Sequence, residues 1–195
     1  FGSTTLTPPW SLHFVDGAPL TLCAMLTGAG WILVPGADPV RLAAGETAVV
    51  RGPAGFHVVD EVGTPAEPIV CGVDCATPDQ GGTRHRLGWH DPAPAPGSDA
   101  STLITGASPA GGEVGARLLD ALPPVLRVGA GGSGDTVLDH VAAEVAVDAP
   151  GRQVVLDRLL DWLLVCTLRE WFDRPGGSRP RWWTAQHDPV VGRAL

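Results

Sequence analysis

Between Gly28 and Asp60 the chain reads GAGWILVPGADPVRLAAGETAVVRGPAGFHVVD, short β-type stretches cut every few residues by Gly and Pro. Stretches of that length at that spacing build a small antiparallel sandwich or barrel. They fall at 31–34, 40–42, 47–50 and 56–60. The gaps are Pro35-Gly36-Ala37-Asp38, Ala43-Ala44-Gly45-Glu46 and Gly52-Pro53-Ala54-Gly55. Each gap supplies the positive φ or the fixed φ that a tight reversal needs.

Composition bounds what such a chain can do. At 195 residues and 44% hydrophobic content it has ample material for a core, as one large domain or as a domain with an appendage. A formal net charge of -8 and a pI near 5.0 argue against a nucleic-acid surface, because phosphate binding needs clustered Lys and Arg. No apolar run reaches the roughly 18 residues that span a bilayer, and the start FGSTTLTPPW lacks a basic stretch followed by an apolar one. The expectation is a soluble, cytoplasmic protein. Because it begins with Phe1 and ends at Leu195 inside a helical-looking phrase, it is also expected to be a piece of a longer product. Cys23, Cys71, Cys75 and Cys166 are too few for a disulfide framework at this length and fit a reducing compartment.

The texture changes near residue 112. Before it come strands and turns, with further stretches at 20–27, 69–73 and 101–105. A polar loop at 77–99 carries Pro92, Pro94 and Pro96; a loop of that length is either mobile or wrapped over a site. After residue 112 the spacing predicts a helix over 113–122, closed by Pro123-Pro124, and a second over 135–147 with Asp135 as its N-cap. The glycine-rich stretch 129–134 reads as a flexible linker between them; it lacks the Gly-Lys-Ser/Thr ending of a phosphate loop. The longest helix is predicted over 152–172. There Leu156, Leu160, Leu163, Leu164 and Phe172 are part of an apolar surface wide enough to demand burial on more than one face. What packing leaves over would suit a twofold helix pair between subunits.

Longer phrases carry a resemblance. The cadence strand, Pro35-Gly36, strand, Gly45-Glu46, strand, Arg51-Gly52-Pro53, His57 is similar to that of a cupin jelly roll. Arg117-Leu118-Leu119-Asp120-Ala121-Leu122-Pro123-Pro124-Val125-Leu126, Val155-Leu156-Asp157-Arg158-Leu159-Leu160-Asp161, Leu168-Arg169-Glu170-Trp171-Phe172 and Asp188-Pro189-Val190-Val191-Gly192-Arg193-Ala194-Leu195 resemble the cupin-type N-terminal region of AraC-family transcriptional regulators. Thr64-Pro65 and Cys75-Ala76-Thr77-Pro78-Asp79 extend the likeness to nearly the whole chain. The resemblance implies an α+β fold, with a cupin-like effector-sensing β jelly roll over 1–111 and a helical dimerisation region over 112–174. A linker over 175–195 would lead toward a helix-turn-helix domain that this sequence does not contain. It further implies a homodimer, a small-molecule or metal effector, DNA contact only through that missing domain, no membrane, and no enzymatic activity. A stand-alone cupin small-molecule-binding protein is the alternative, and a metal-dependent cupin enzyme a third. Against the enzyme, the strand Leu20-Thr21-Leu22-Cys23-Ala24-Met25 has no His, where enzymatic cupins carry a His-x-His pair. Only His57 stands where the later cupin His is found.

Several residues carry chemistry in this reading. Cys71-Gly72-Val73-Asp74-Cys75, at the end of a strand and its turn, can bring two sulfurs together. With His57, His85 or His90 to complete it, Cys71 and Cys75 would form a metal site for zinc or another soft divalent metal. Alternatively Cys71 and Cys75 are a thiol redox switch, or are inert. Trp10, Phe14, Trp31, His57 and Trp89, with Phe56, are candidates for an apolar small-molecule pocket at the barrel mouth, some of them simply core. Cys23 and Cys166 lie in strongly apolar elements and read as small hydrophobes, although Cys23 could reach the interior beside Cys71. His13 reads as a strand surface residue, His140 and His187 as solvated. No Gly-x-Ser-x-Gly or other nucleophile constellation occurs.

Overall fold

The computed structural model describes residues 2–64, 69–71, 99–109, 112–147, 149–174, 180 and 183, with backbone alone at 69–71 and 112–114. Ten strands and three helices follow in chain order: β1 (Gly2–Leu6), β2 (Ser11–Phe14), β3 (Leu20–Thr27), β4 (Ala29–Leu33), β5 (Val40–Ala43), β6 (Thr47–Arg51), β7 (Phe56–Val59), β8 (Ile69–Cys71), β9 (Ser101–Ser108), α1 (Gly112–Ala121), β10 (Val125–Val128), α2 (Asp135–Val145) and α3 (Arg152–Asp173).

Strand β3 shows why the layers stack as they do. Side chains alternate across a strand, yet the first six residues of β3 are all buried. Leu20, Leu22 and Ala24 join one apolar cluster, and Cys23 and Met25 join another. A strand apolar on both faces needs a cover on each side. One cover is a second sheet and the other is helical.

The first sheet runs β1-β9-β3-β6-β10 and the second β5-β4-β7-β2-β8. Neighbours pair antiparallel except β2 and β8, which are parallel. Between the sheets, Cys23, Met25, Ala48 and Leu103 of the first meet Leu12, Phe14, Ile32 and Val58 of the second. Outside the first sheet, Leu22, Val49 and Leu126 pack against Leu138 of α2 and Leu156, Leu160 and Leu163 of α3. The threonine hydroxyls of Thr47 on β6 and Thr167 on α3 approach to 3.2 Å in this buried layer, and Thr167 Oγ1 also donates to the Leu163 carbonyl at 2.8 Å. Arg51 donates to the Leu119 carbonyl at 3.1 Å and so fastens the end of α1 to β6.

The chain thus has the α+β fold expected of it, and the differences are local. β1 and β10 were not expected as strands. β10 is four residues long, directly after Pro123-Pro124, and gains its identity only by pairing Val125–Val128 with β6. Because of it, the glycine-rich stretch 129–134 links a strand to a helix rather than two helices. Gly134, not Asp135, is the N-cap of α2; Asp135 is the first helical residue, and its carboxylate accepts from the Gly131 N–H at 2.8 Å. The carboxylate still sits in the first turn, where it complements the helix dipole. The strand expected over 69–73 is described only for Ile69–Cys71, and the loop at 77–99 lies almost wholly outside the described residues.

α3 begins after Gly151, whose φ of 85° is open to glycine at little cost. Its buried side includes Leu156, Leu160, Leu163, Leu164 and Phe172. Its other side leaves Val154, Val155, Trp162 and Val165 exposed. Among the described residues no helix is long and apolar enough to cross a membrane.

Leu160 is 1% exposed between α3 and the first sheet, so Leu160→Ala should cost about 2–5 kcal/mol through lost transfer energy and the cavity left behind. Val154→Ala, on the outward side of the same helix, should change the monomer's stability by less than about 0.5 kcal/mol. Urea unfolding of both variants checks the contrast, which fails if the two costs are equal.

Candidate functional site

The register of the second sheet sorts the expected site residues onto two faces. Ser11 to Phe14 pair with Val59 to Phe56, which sets His13 opposite His57 and Phe14 opposite Phe56. Phe14 and Phe56 belong to the cluster between the sheets and stack with ring centroids 4.7 Å apart and planes 7° apart. His13 and His57, one step along each strand, occupy the opposite, outer face. Their imidazoles stack at 4.0 Å with planes 6° apart. Leu33 of β4 is the register partner of His57, and Val70 of β8 that of His13. The row across the outer face therefore reads Leu33, His57, His13 and the Val70 position.

Trp10 and Trp31 separate in the same way. Trp10 is 3% exposed and belongs to the interior cluster. Its ring lies against Gly30, where a Cβ would come within 2.8 Å of the indole and 2.9 Å of the Val59 carbonyl. Trp31, the next residue, pairs with Val59 and Arg41 on the outer face and is half-buried. One pocket lined jointly by Trp10, Phe14, Trp31 and His57 is therefore not what the sheet builds. Trp10 and Phe14 face the interior, while Trp31 and His57 face outward. Trp89 lies outside the described residues.

The interior is apolar and closely filled, with one exception in its chemistry. The Trp10 Nε1–H is buried, and among the described residues none accepts from it. An unmet donor costs about 1–3 kcal/mol, so this is the polar point at which an acceptor entering the interior would be held. Cys23 shares that interior at 0% exposure, and burial, with the Asp16 charge adding to it, pushes its thiol up to about 12. It is a small hydrophobe there, as the sequence indicated. Cys166 is buried in α3.

Of the cysteine pair, only Cys71 falls within described backbone, at the register position of Phe14. His57 is at the register position of His13, the neighbouring residue on the other face of β2. Cys75, His85 and His90 lie outside the described residues. Among the described residues no group of three or more His, Cys, Asp or Glu is arranged to hold a metal ion.

What the sequence reading missed is the partner of His57. It is His13, taken on its own as a surface residue. A signal existed: His13-Phe14 and Phe56-His57 are reversed dipeptides, and antiparallel pairing of reversed dipeptides sets like on like. Among the described residues, no group hydrogen-bonds to the ring nitrogens of either histidine. Burial, and secondarily the charge on His13, lowers the His57 pKa below its ordinary 6.5.

A cleft elsewhere lies between the β5–β6 turn, the glycine-rich stretch and α3, lined by Gly45, Thr47, Gly129, Asp135, Thr167 and Glu170, among others. Its space is about 240 Å³ counting the open mouth. A Cβ on Gly132 would fall 1.8 Å from the Glu170 carboxylate, so the glycine there allows α3 to close on the loop. The cleft is a packing seam rather than a ligand pocket.

Two outcomes follow from these environments. A histidine whose folded pKa is lowered binds its proton more readily when unfolded, so its stabilising effect is complete above pH 6.5 and is lost as pH falls below that value toward the folded pKa. In chelator-treated buffer, His57→Gln should flatten the stability–pH curve below pH 6.5 relative to the parent chain. Parallel curves would contradict it. Thiol labelling of the native chain near pH 7.5, read by peptide mass, should leave Cys23 unmodified until the protein is unfolded.

Comparison with known proteins places this architecture. A cupin family model matches residues 1–173. Among solved structures, the apo form of a ToxT variant from Vibrio cholerae aligns with a TM-score of 0.43 at 8% identity, over 87% of this chain and 53% of that one. This chain thus spans about half the length of that protein. Among curated proteins none matches. With the family model covering the two sheets and the helices described, the chain belongs to the cupin family.

Proposed function

We propose that this chain is the effector-sensing and dimerisation domain of an AraC-family transcriptional regulator, taking a small molecule, a metal or an oxidant as its signal. The observation that carries the reading is the match of a cupin family model to residues 1–173, in a chain whose longer phrases resemble the N-terminal region of AraC-family regulators. The chemistry of the barrel supports it. β3 has no histidine, and the side chains it directs between the sheets include Cys23 and Met25, both fully buried. An enzymatic cupin needs open metal positions at that place; here there are packed apolar groups and a raised thiol. The surface agrees, since a -8 chain has little to offer phosphates. Contact with DNA belongs to a part of the regulator outside this sequence.

Such a domain works by differential affinity, because a ligand moves an equilibrium only as far as it prefers one arrangement over the other. The second half of the reading is the homodimer. Val154, Val155, Trp162 and Val165 lie within an arc of roughly 100° on α3. Trp162 alone is 54% exposed. Arg158 and Asp161 pair within the same stripe at 3.1 Å and keep the surface soluble.

Native mass spectrometry of the purified chain tests both halves together. The expected species is a dimer of two 20.1 kDa chains, converted largely to monomer by Trp162→Glu without loss of the fold by circular dichroism. A strict monomer at high protein concentration, with no retained or added ligand ever shifting its mass, would overturn the reading.

A further inference from the structure

The outer face of the second sheet holds a pair of side chains that belong to neither apolar cluster. His13 and His57 are directly opposite on β2 and β7, with their rings parallel and 4.0 Å apart. Their flanking register positions in the row, Leu33 and Val70, are apolar. Among the described residues no carboxylate bonds either ring. Among the described residues none bonds any of the four ring nitrogens, which stand on two adjacent strands.

We propose that His13 and His57 together form a two-imidazole site for a divalent transition-metal ion of the zinc or copper(II) class. Imidazole is the ligand these ions share. An ion holding two nitrogens at about 2.0–2.1 Å in tetrahedral geometry needs those nitrogens roughly 3.3 Å apart. The stacked rings already stand 4.0 Å apart. Turning one ring about its outer side-chain torsion, which is a broad and soft coordinate, converts the stack into a chelate without moving either strand. Half-burial keeps one side of the ion open to water, which fills the remaining positions. Imidazole binds such an ion through a neutral ring nitrogen. In the register His57 is paired with His13, whereas the Cys71 backbone is paired with Phe14. The site deepens the sensor reading by naming a class of signal, but it does not depend on it: metal binding can fail while the dimer and the regulator reading stand.

The test uses the whole chain, stripped with chelator and titrated with zinc(II) and, separately, copper(II). One ion per chain is expected by calorimetry and by elemental analysis after dialysis. His13→Gln and His57→Gln should each weaken binding at least tenfold, and circular dichroism should show both still folded. The copper(II) form should show nitrogen hyperfine coupling from two imidazoles in its electron paramagnetic resonance spectrum, reduced to one in either variant. Binding that survives the double variant, or that disappears in Cys71→Ser with Cys75→Ser while the histidines are intact, would overturn the proposal. So would the absence of any stoichiometric binding.

Discussion

The first sheet is apolar on both faces, and the rest of the molecule is arranged to cover it. Val49 on β6 looks toward the helices, while Ala48 and Val50 look toward the second sheet; all three are nearly inaccessible. Burying apolar area at roughly 25 cal/mol per Å² rewards any layer that closes either side. The helices close one side and the second sheet the other, so neither the barrel nor the helical part completes its core alone. This is why α3 can be strongly apolar without being a membrane helix: one side serves the first sheet and α2, and the remainder reaches the surface around Trp162.

The second sheet has one such obligation, not two. Its inner face must be apolar, and Leu12, Phe14, Ile32, Phe56 and Val58 make it so. Its outer face is free to carry chemistry, and there the alternating register places Trp31, His57 and His13. The period of two in a strand thus separates the packed face from the outer one at single-residue spacing: Phe14 and Phe56 stack inward, and their neighbours stack outward. A shift of one residue in the pairing of β2 with β7 would exchange the two faces.

Much of this was legible in the sequence and some was not, for identifiable reasons. The run from Gly28 to Asp60 announced its strands through its turn residues, and β4, β5, β6 and β7 fall within about two residues of expectation. The long helix was equally plain, since 22 residues with few breakers leave little alternative. β10 was hidden because four residues after a Pro-Pro pair have no period to detect, and only the edge of β6 makes them a strand. The site was half visible. His57 could be picked out by its place after the turn at Gly55, but its partner lies 44 positions earlier, and cross-strand adjacency is a property of register rather than of spacing. Trp10 was chosen as an aromatic near a site and is instead the interior's donor, a distinction that rests on which face of β2 follows it.

The two sheets and α3 meet at a short piece of chain. β5 belongs to the second sheet and β6 to the first, and the residues between them form a turn in which the Glu46 carboxylate accepts from the Ala43 N–H at 2.8 Å. The same carboxylate meets Arg127 of β10 at 3.1 Å. Gly45 and Thr47, on either side of Glu46, line the seam where Thr167 and Glu170 of α3 close against the glycine-rich stretch. The exposed Arg127–Glu46 pair contributes little stability by itself, about 0–1 kcal/mol. Its place matters more than its strength, because it ties the turn joining the sheets to the strand that leads into α2 and α3. Packed layers do not deform continuously. The turn, the strand and the seam beside α3 therefore belong to one packed block, which reaches from the second sheet to the helix with the exposed apolar side.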